Sequence, residues 1–164
     1  MEVLQAAVLG LSIFLLAQWG YAAPSRMQFY MHDNFNLSPR TVLRVAGSAN
    51  STAAFGAVMV IDDLLTEGPS PASQPVGRAQ GTYMISALDG SSLLLTFTAV
   101  FSRGSENGST ISFHGADRFL LAEREIAVIG GTGKFRMARG FAVLNTTSNT
   151  NRATIVGFDV TLQV

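Results

Sequence analysis

A chain of 164 residues can build one domain with a substantial core, and zero formal net charge with 13% charged residues offers no basic surface for nucleic acid. There is no cysteine, which excludes a disulfide framework, a thiolate nucleophile and any cysteine-containing zinc site. The only histidines are His32 and His114.

The first segment, "VLQAAVLGLSIFLLAQWGYAA", is apolar and uncharged after Glu2, and it gives way to Pro24 and a polar stretch. Small residues at Gly20 and Ala22 predict a secretory signal over 1–22, with the folded domain at 23–164. An uncleaved anchor is the alternative, since Val3–Trp19 approaches the lower limit for a membrane span. No later segment is apolar and long enough to span, so no membrane association is expected after cleavage. Four Asn-x-Ser/Thr tripeptides, at Asn36, Asn50, Asn107 and Asn145, lie in polar or turn-like stretches and suit an exported glycoprotein. Asn36 is the least suited, because Pro39 follows its Ser38.

Beyond the leader, helical signals are nearly absent. Eight runs rich in Val, Ile, Phe, Thr and Tyr, closed by Gly, Asn, Ser or Pro, read as strands. They are Met27–Asn34, Phe55–Leu65, Gly77–Ala87, Ser92–Ser102, Ser109–His114, Arg124–Ile129, Arg139–Thr147 and Ala153–Val164. Hairpin-like joins such as "DGSS", "RGSENGS" and "TSNTN" make neighbours antiparallel, and "TEGPSPASQPVG" is a surface loop. Eight short antiparallel strands predict an all-β sandwich or a closed barrel, whose interior can hold one small ligand. In the first run, period two places Phe29, Met31 and Asp33 on one face and Tyr30 and His32 on the other. "LLLTFTAVF" at 93–101 is apolar on both faces, so its outer face is expected to be a subunit contact.

"AVIGGTGKFRMARGFAV" at 127–143 resembles a phosphate-binding loop but fails as one. The third glycine of a dinucleotide fingerprint is missing, another strand follows where a helix is required, and Phe135 follows Lys134 where a Walker loop needs Ser or Thr. Gly130, Gly131 and Gly133 are instead expected to allow positive φ in a tight connection. No hydrolase triad is supported, since Gly-x-Ser-x-Gly is absent and neither histidine has an evident partner set. His32 and Asp33 point to opposite faces, which gives no metal site. "DDLLTE" at 62–67 reads as solvated carboxylates where a strand ends before the proline-rich loop.

Six motifs in order then become recognisable: "FYMHDN" at 29–34, "FGAVMVIDDLLTEGP" at 55–69, "VGRAQGTYMIS" at 76–86, "LLLTFTAVF", "GSTISFHGADR" at 108–118 and "REIAVIGGTGKFRMARGFA" at 124–142. Together they closely resemble the plant dirigent family over nearly the whole mature chain. The resemblance implies an eight-stranded antiparallel β-barrel of the allene oxide cyclase type, a homo-oligomer and usually a trimer, secreted to the cell wall or apoplast and free of any cofactor or metal. Members steer stereoselective coupling of phenoxy radicals, such as those of coniferyl alcohol, that a separate laccase or peroxidase generates. Others close rings on quinone-methide-like intermediates, as in pterocarpan formation. A non-catalytic module that binds wall phenolics or carbohydrate is a further reading.

By the same resemblance Asp33, Asp117 and Arg124 are the candidate catalytic residues, and Tyr83, with Phe29 and Ile85, the candidate substrate contacts. Pinoresinol-forming members often carry a second tyrosine where this chain has Ile85, a departure that weighs against coupling of two coniferyl radicals. The chemistry suits these residue types. A carboxyl desolvated in an apolar barrel remains protonated and can activate a quinone methide through its carbonyl oxygen. Asp33 and Asp117, if both inside, would raise one another, while Arg124 would hold one ionised. A structural Asp117–Arg124 ion pair and a purely core Tyr83 are the competing readings.

Overall fold

The computed structural model describes residues 24–47 and 55–164, so the expected leader and Asn50 lie outside the described residues. Nine strands follow in order: β1 (Ser25–Asn34), β2 (Val42–Ala46), β3 (Val58–Thr66), β4 (Pro75–Ile85), β5 (Leu93–Phe101), β6 (Thr110–Asp117), β7 (Glu123–Thr132), β8 (Arg139–Asn149) and β9 (Ala153–Gln163). Among the described residues there is no α-helix, only single 3-10 turns at Gly104–Glu106 and Gly133–Phe135.

Every pairing is antiparallel. The ladder runs β1-β9-β8-β7-β6-β5-β4-β3, and β3 returns to β1 through Tyr30–Thr66, Met31–Leu65 and His32–Leu64. Eight strands therefore close into a barrel, as the sequence predicts, and no strand of that ring presents a free edge along its whole length.

The sequence reading lacks β2. This five-residue strand pairs only with the first half of β3, Val42 against Ile61 and Leu43 against Val60, while β1 pairs with the other half. Thr41 joins the two. Its N–H donates to Asn34 O at 3.2 Å, its Oγ1 accepts the Asn34 N–H at 3.0 Å, and its carbonyl accepts the Asp62 N–H at 2.9 Å.

Period two sorts the side chains. In β5, Leu95, Phe97, Ala99 and Phe101 are buried, whereas Thr96 is exposed and Leu94, Thr98 and Val100 are half-buried on the outer face. The barrel interior is filled by phenylalanines from four strands, β1, β5, β6 and β9. Phe29 stacks on Phe158 with ring centroids 5.1 Å apart, Phe97 on Phe113 at 4.8 Å, and Phe97 meets Phe158 edge-on at 5.5 Å. Aromatic pairs in these offset and edge-to-face geometries add about 0.5–1.5 kcal/mol each beyond their buried area. They plug the barrel at mid-height.

The glycine-rich segment is the end of β7, a 3-10 turn and the start of β8, so no helix follows it. Its glycines do three different things, which corrects the expectation of a common positive φ. Of Gly130, Gly131 and Gly133 only Gly133 has one, +61°, and a Cβ there would lie 2.6 Å from Ser109 Oγ. Gly131 is needed for close approach, because its Cβ would lie 2.6 Å from the carbonyl oxygens of both Phe135 and Thr110. Gly130 has room for a methyl group and sits beside a bulge, where Ser112 pairs with Gly130 but Phe113 pairs with Val128. Gly133→Ala is therefore expected to cost about 1–3 kcal/mol, while Gly130→Ala stays within about 0.5 kcal/mol. Urea unfolding midpoints of the two variants check this directly.

Candidate functional site

Above the phenylalanine plug the barrel opens into a cavity of about 600 Å³. That is a common size for a small-molecule site. Its walls are apolar, with Met31 (β1), Val42 (β2), Met59 (β3), Tyr83 and Ile85 (β4), Leu93 and Leu95 (β5) and Val156 (β9). Charged groups line it on two opposite sides, Asp117 and Arg124 at β6–β7, and Asp33 of β1 with Arg40 and Arg44 of the β1–β2 loop and β2; polar residues such as Asn36 and Asn151 line it as well. Loops frame the mouth: Phe35 and Asn36 N–H groups both donate to Arg152 O, at 3.0 and 3.1 Å, and Asn36 Nδ2 donates to Asn151 O at 3.1 Å. These bonds tie the β1–β2 loop to the β8–β9 hairpin.

On the β6–β7 side, Arg124 Nε donates to Asp117 Oδ1 at 2.6 Å, with both side chains buried and both lining the cavity. Burial pushes the Asp117 carboxyl up, and the hydrogen bond and charge of Arg124 oppose that rise. A guanidinium does not deprotonate, so its burial is tolerable only if Asp117 supplies the negative charge. The salt bridge favours the charged form of Asp117, against the burial that raises its carboxyl. Arg124 Nη1 has no hydrogen-bond partner, which leaves a donor for an incoming oxygen.

On the β1–β3 side, Asp33 is 8% exposed and burial pushes its carboxyl up to about 7. The β1–β3 ladder ends at His32–Leu64. The next pair in that register is Asp33 and Asp63, and alternation turns both inward. The sequence reading placed Asp62 and Asp63 together as solvated carboxylates at a strand end. The structure corrects this: β3 continues to Thr66, so only Asp62 faces out, where it accepts a hydrogen bond from Arg78 Nε at 2.6 Å. Asp63 is fully buried, and its Oδ1 accepts the Thr41 hydroxyl. Burial first, then the charge of Asp33, pushes Asp63 up to about 8, against the opposing hydrogen bond from Thr41. The like-charge partner of Asp33 is thus Asp63 and not the expected Asp117, which stands across the cavity.

Tyr83 and Ile85 line the cavity, but Phe29 does not. Sharing a strand face with Asp33 fixes direction and not height, and four residues of strand separate the two by about 13 Å. Phe29 belongs to the plug and to a smaller pocket at the far end of the barrel, with Phe101 and Val76. The Tyr83 hydroxyl is pushed up by burial, then by Asp33 and Asp63, with Arg44 opposing, so it is a neutral donor. His32 faces outward yet is buried. Thr66 gives its own hydroxyl hydrogen to Gly68 O at 2.7 Å, so Thr66 Oγ1 accepts from His32 Nε2 at 2.6 Å, and burial lowers the imidazole. No group of three or more metal-ligating side chains occurs among the described residues.

The fold and the site define a class: a closed antiparallel barrel with an apolar chamber, a buried carboxyl on one wall and an ion pair on the other. A Dirigent-like protein family profile matches residues 24–163, and this chain belongs to the dirigent family. It is 40% identical to Dirigent protein 11 of Arabidopsis thaliana over 83% of this chain and 72% of that one. It is also 40% identical to Pterocarpan synthase 1 of Glycyrrhiza echinata over 72% of this chain and 65% of that one. The solved pterocarpan synthase dirigent protein PsPTS1 superposes with a TM-score of 0.83 at 32% identity, covering 88% of this chain and 97% of that one.

Raised carboxyls make stability pH-dependent. Between the ordinary aspartate range near 4 and the folded values of about 7 and 8, the folded state keeps protons that the unfolded chain releases. Stability conferred by that difference is complete at low pH and is lost as pH rises through 7 and 8. His32 works in the opposite sense, but only below about 6.5. From pH 6.5 to 8 the melting temperature is therefore expected to fall, with a slope of up to about 1.4 kcal/mol per pH unit for each such carboxyl. Asp33→Asn or Asp63→Asn should flatten the fall. Calorimetric scans across this range check it, and a native profile that is level would contradict protonated carboxyls.

Proposed function

We propose that this protein is a secreted dirigent-type protein that directs stereoselective ring closure of a phenolic quinone methide by proton transfer. The observation that carries the reading is the pairing, in one apolar cavity, of a buried carboxyl pushed up to about 7 with a carboxyl salt-bridged to an arginine. The names of the pterocarpan synthases it resembles support the same reading.

The chemistry follows from the charges. Asp33 gives its proton to the quinone-methide carbonyl oxygen, and the exocyclic π pair moves into the ring, leaving an electrophilic carbon. A hydroxyl of the same substrate attacks that carbon, a C–O bond forms, and the hydroxyl proton passes to the Asp117 carboxylate. Arg124 keeps Asp117 ionised until then, with Nη1 available to hold a substrate oxygen. Proton return from Asp117 to Asp33 through solvent at the mouth resets the site. Oxidation of the phenol to its quinone methide belongs to a separate phenol-oxidising enzyme of the laccase or peroxidase class. Coupling of two coniferyl-type radicals is the second reading. Ile85, which leaves the wall beside Tyr83 apolar, favours ring closure over it.

Export to the apoplast is supported by the apolar leader and by the exposed Asn36, Asn107 and Asn145. A glycan on Asn36 would stand at the cavity mouth, since this residue is part of its rim. Self-association is supported by outward apolar rows on β2–β5, where Leu43 pairs with Val60, and Met84 with both Val58 and Leu94. Leu43 is 62% exposed, Val60 43% and Met84 37%. Apolar side chains this exposed and this close together mark an interface, and closed three-fold symmetry would bury them without further growth. Light scattering on the deglycosylated protein at micromolar concentration should give an oligomer, which Val60→Lys disperses. A clean monomer would remove this proposal.

Ring closure is tested with a one-electron oxidant and a panel of phenols, isoflavanol-type substrates included, resolving the product enantiomers. Asp33→Asn and Asp117→Asn should each slow enantioselective closure by about 10²–10⁴-fold, while the outward Asp62→Asn leaves it unchanged. Racemic products from every phenol tried would sink the reading.

A further inference from the structure

The acid on β1 has a companion that does not line the cavity. We propose that Asp63 is a positioning residue of the site: it forms a proton-sharing carboxyl pair with Asp33 and so keeps Asp33 a proton donor towards the cavity. Its catalytic meaning rests on the ring-closure reading above, while its physical content stands apart from it.

Geometry carries the proposal. Asp33 and Asp63 occupy the first facing positions beyond the last hydrogen-bonded pair of the β1–β3 seam, both directed inward. Facing residues inside a ladder hold their Cβ atoms about 4.5–5.5 Å apart, and this pair lies one step past its end, near enough for the charge of Asp33 to bear on Asp63. Asp63 is 0% exposed, and no solvent-facing alternative is open to it without breaking the alternation that buries Ile61 and Leu65 on either side. Thr41 satisfies Asp63 Oδ1. Asp63 Oδ2 and Asp33 Oδ1 have no hydrogen-bond partner at all. An ionised carboxylate only accepts hydrogen bonds, so two ionised neighbours would leave two buried oxygens bare and two like charges adjacent. A proton on either oxygen turns one of the bare acceptors into a donor and removes a charge.

Among the described residues neither Asp33 nor Asp63 forms a salt bridge. From β4, Tyr83 faces the cluster with a neutral hydroxyl, and Arg78 lies on the outer face bonded to Asp62, acting on Asp63 only as a weak opposing charge. From β2, Arg44 bears on Tyr83. From β3, Asp62 adds a further small like charge. The pair therefore releases its protons in two coupled steps belonging to both residues, near 7 and 8. When Asp33 gives its proton to substrate, protonated Asp63 is in place to donate to the carboxylate left behind. A residue serving only to anchor Thr41 would do none of this.

The test reads the protons without any substrate. The purified protein is labelled with carboxyl-¹³C aspartate, and its carboxyl resonances are followed by NMR from pH 3 to 10, assigned through Asp→Asn variants. The native protein should show two coupled titrations above pH 6. In Asp33→Asn the remaining Asp63 titration should fall by at least about one pH unit, a tenfold change in proton affinity. Thr41→Val, which removes a hydrogen bond to the charged form, should move it upward. Asp63 titrating near the ordinary value of about 4, or unmoved by Asp33→Asn, would overturn the proposal. In Asp63→Asn, ring closure should lose the dependence on the upper titration while KM changes little, and near-UV circular dichroism should match the native protein. If that variant does not fold, the Asp33→Asn titration alone decides. Coupled titrations in a protein that closes no ring would remove the functional reading and leave the carboxyl pair standing.

Discussion

Three residue pairs close this barrel. Tyr30–Thr66, Met31–Leu65 and His32–Leu64 are the whole β1–β3 seam, against ten pairs between β1 and β9. A short seam is enough because β2 takes up the rest of β3, and Thr41 ties the end of β1 to β3 across the gap. The seam also decides where chemistry is available. Side chains beyond its last pair still point inward but are no longer packed between two continuous ladders, and those side chains are Asp33 and Asp63. Barrel closure and the acidic wall of the cavity are one arrangement.

The two polar walls solve the problem of buried charge in opposite ways. Across from the seam, Asp117 keeps its charge because Arg124 shares its burial, and breaking such a pair costs about 3–5 kcal/mol by leaving a lone buried ion. At the seam neither Asp33 nor Asp63 forms a salt bridge among the described residues, and burial pushes both carboxyls up. One barrel thus holds the same functional group in two settings, salt-bridged on one wall and without a salt bridge on the other. Environment alone separates them, as it must when both are aspartates. The apolar lining between them, from Met31 and Met59 round to Leu93, Leu95 and Val156, keeps the contrast from being screened by water.

Much of this was legible in the chain. Strand runs closed by glycine and asparagine gave the all-β class, and motif order gave the family. The family resemblance marked Asp33, Asp117, Arg124, Tyr83 and Ile85 as candidate site residues, and all five line one cavity. β2 escaped because "VLRVA" is short and carries Arg44 on the face that looks inward, so no apolar stripe marks it. Asp63 escaped although its signal was present: counting by twos from Ile61 and Leu65 puts it inside. Two adjacent aspartates before a proline-rich loop read as solvated, and that local composition outweighed the period. Phe29 was misplaced for a different reason, since alternation gives the side of a strand and carries no information on depth. The roles of the glycines could not be separated without coordinates, because positive φ and close approach leave the same letter in the sequence.

The phenylalanine plug makes the chamber a blind well. Phe29, Phe97, Phe113 and Phe158 fill the barrel's full width, so whatever enters through the mouth framed by the β1–β2 loop and the β8–β9 hairpin leaves by the same opening. Traffic is then strictly last in, first out. A single mouth and a closed floor give an entering molecule one axis of approach into a space of about 600 Å³. On the ring-closure reading, the order in which a molecule meets rim, walls and floor is what would favour one of its faces over the other.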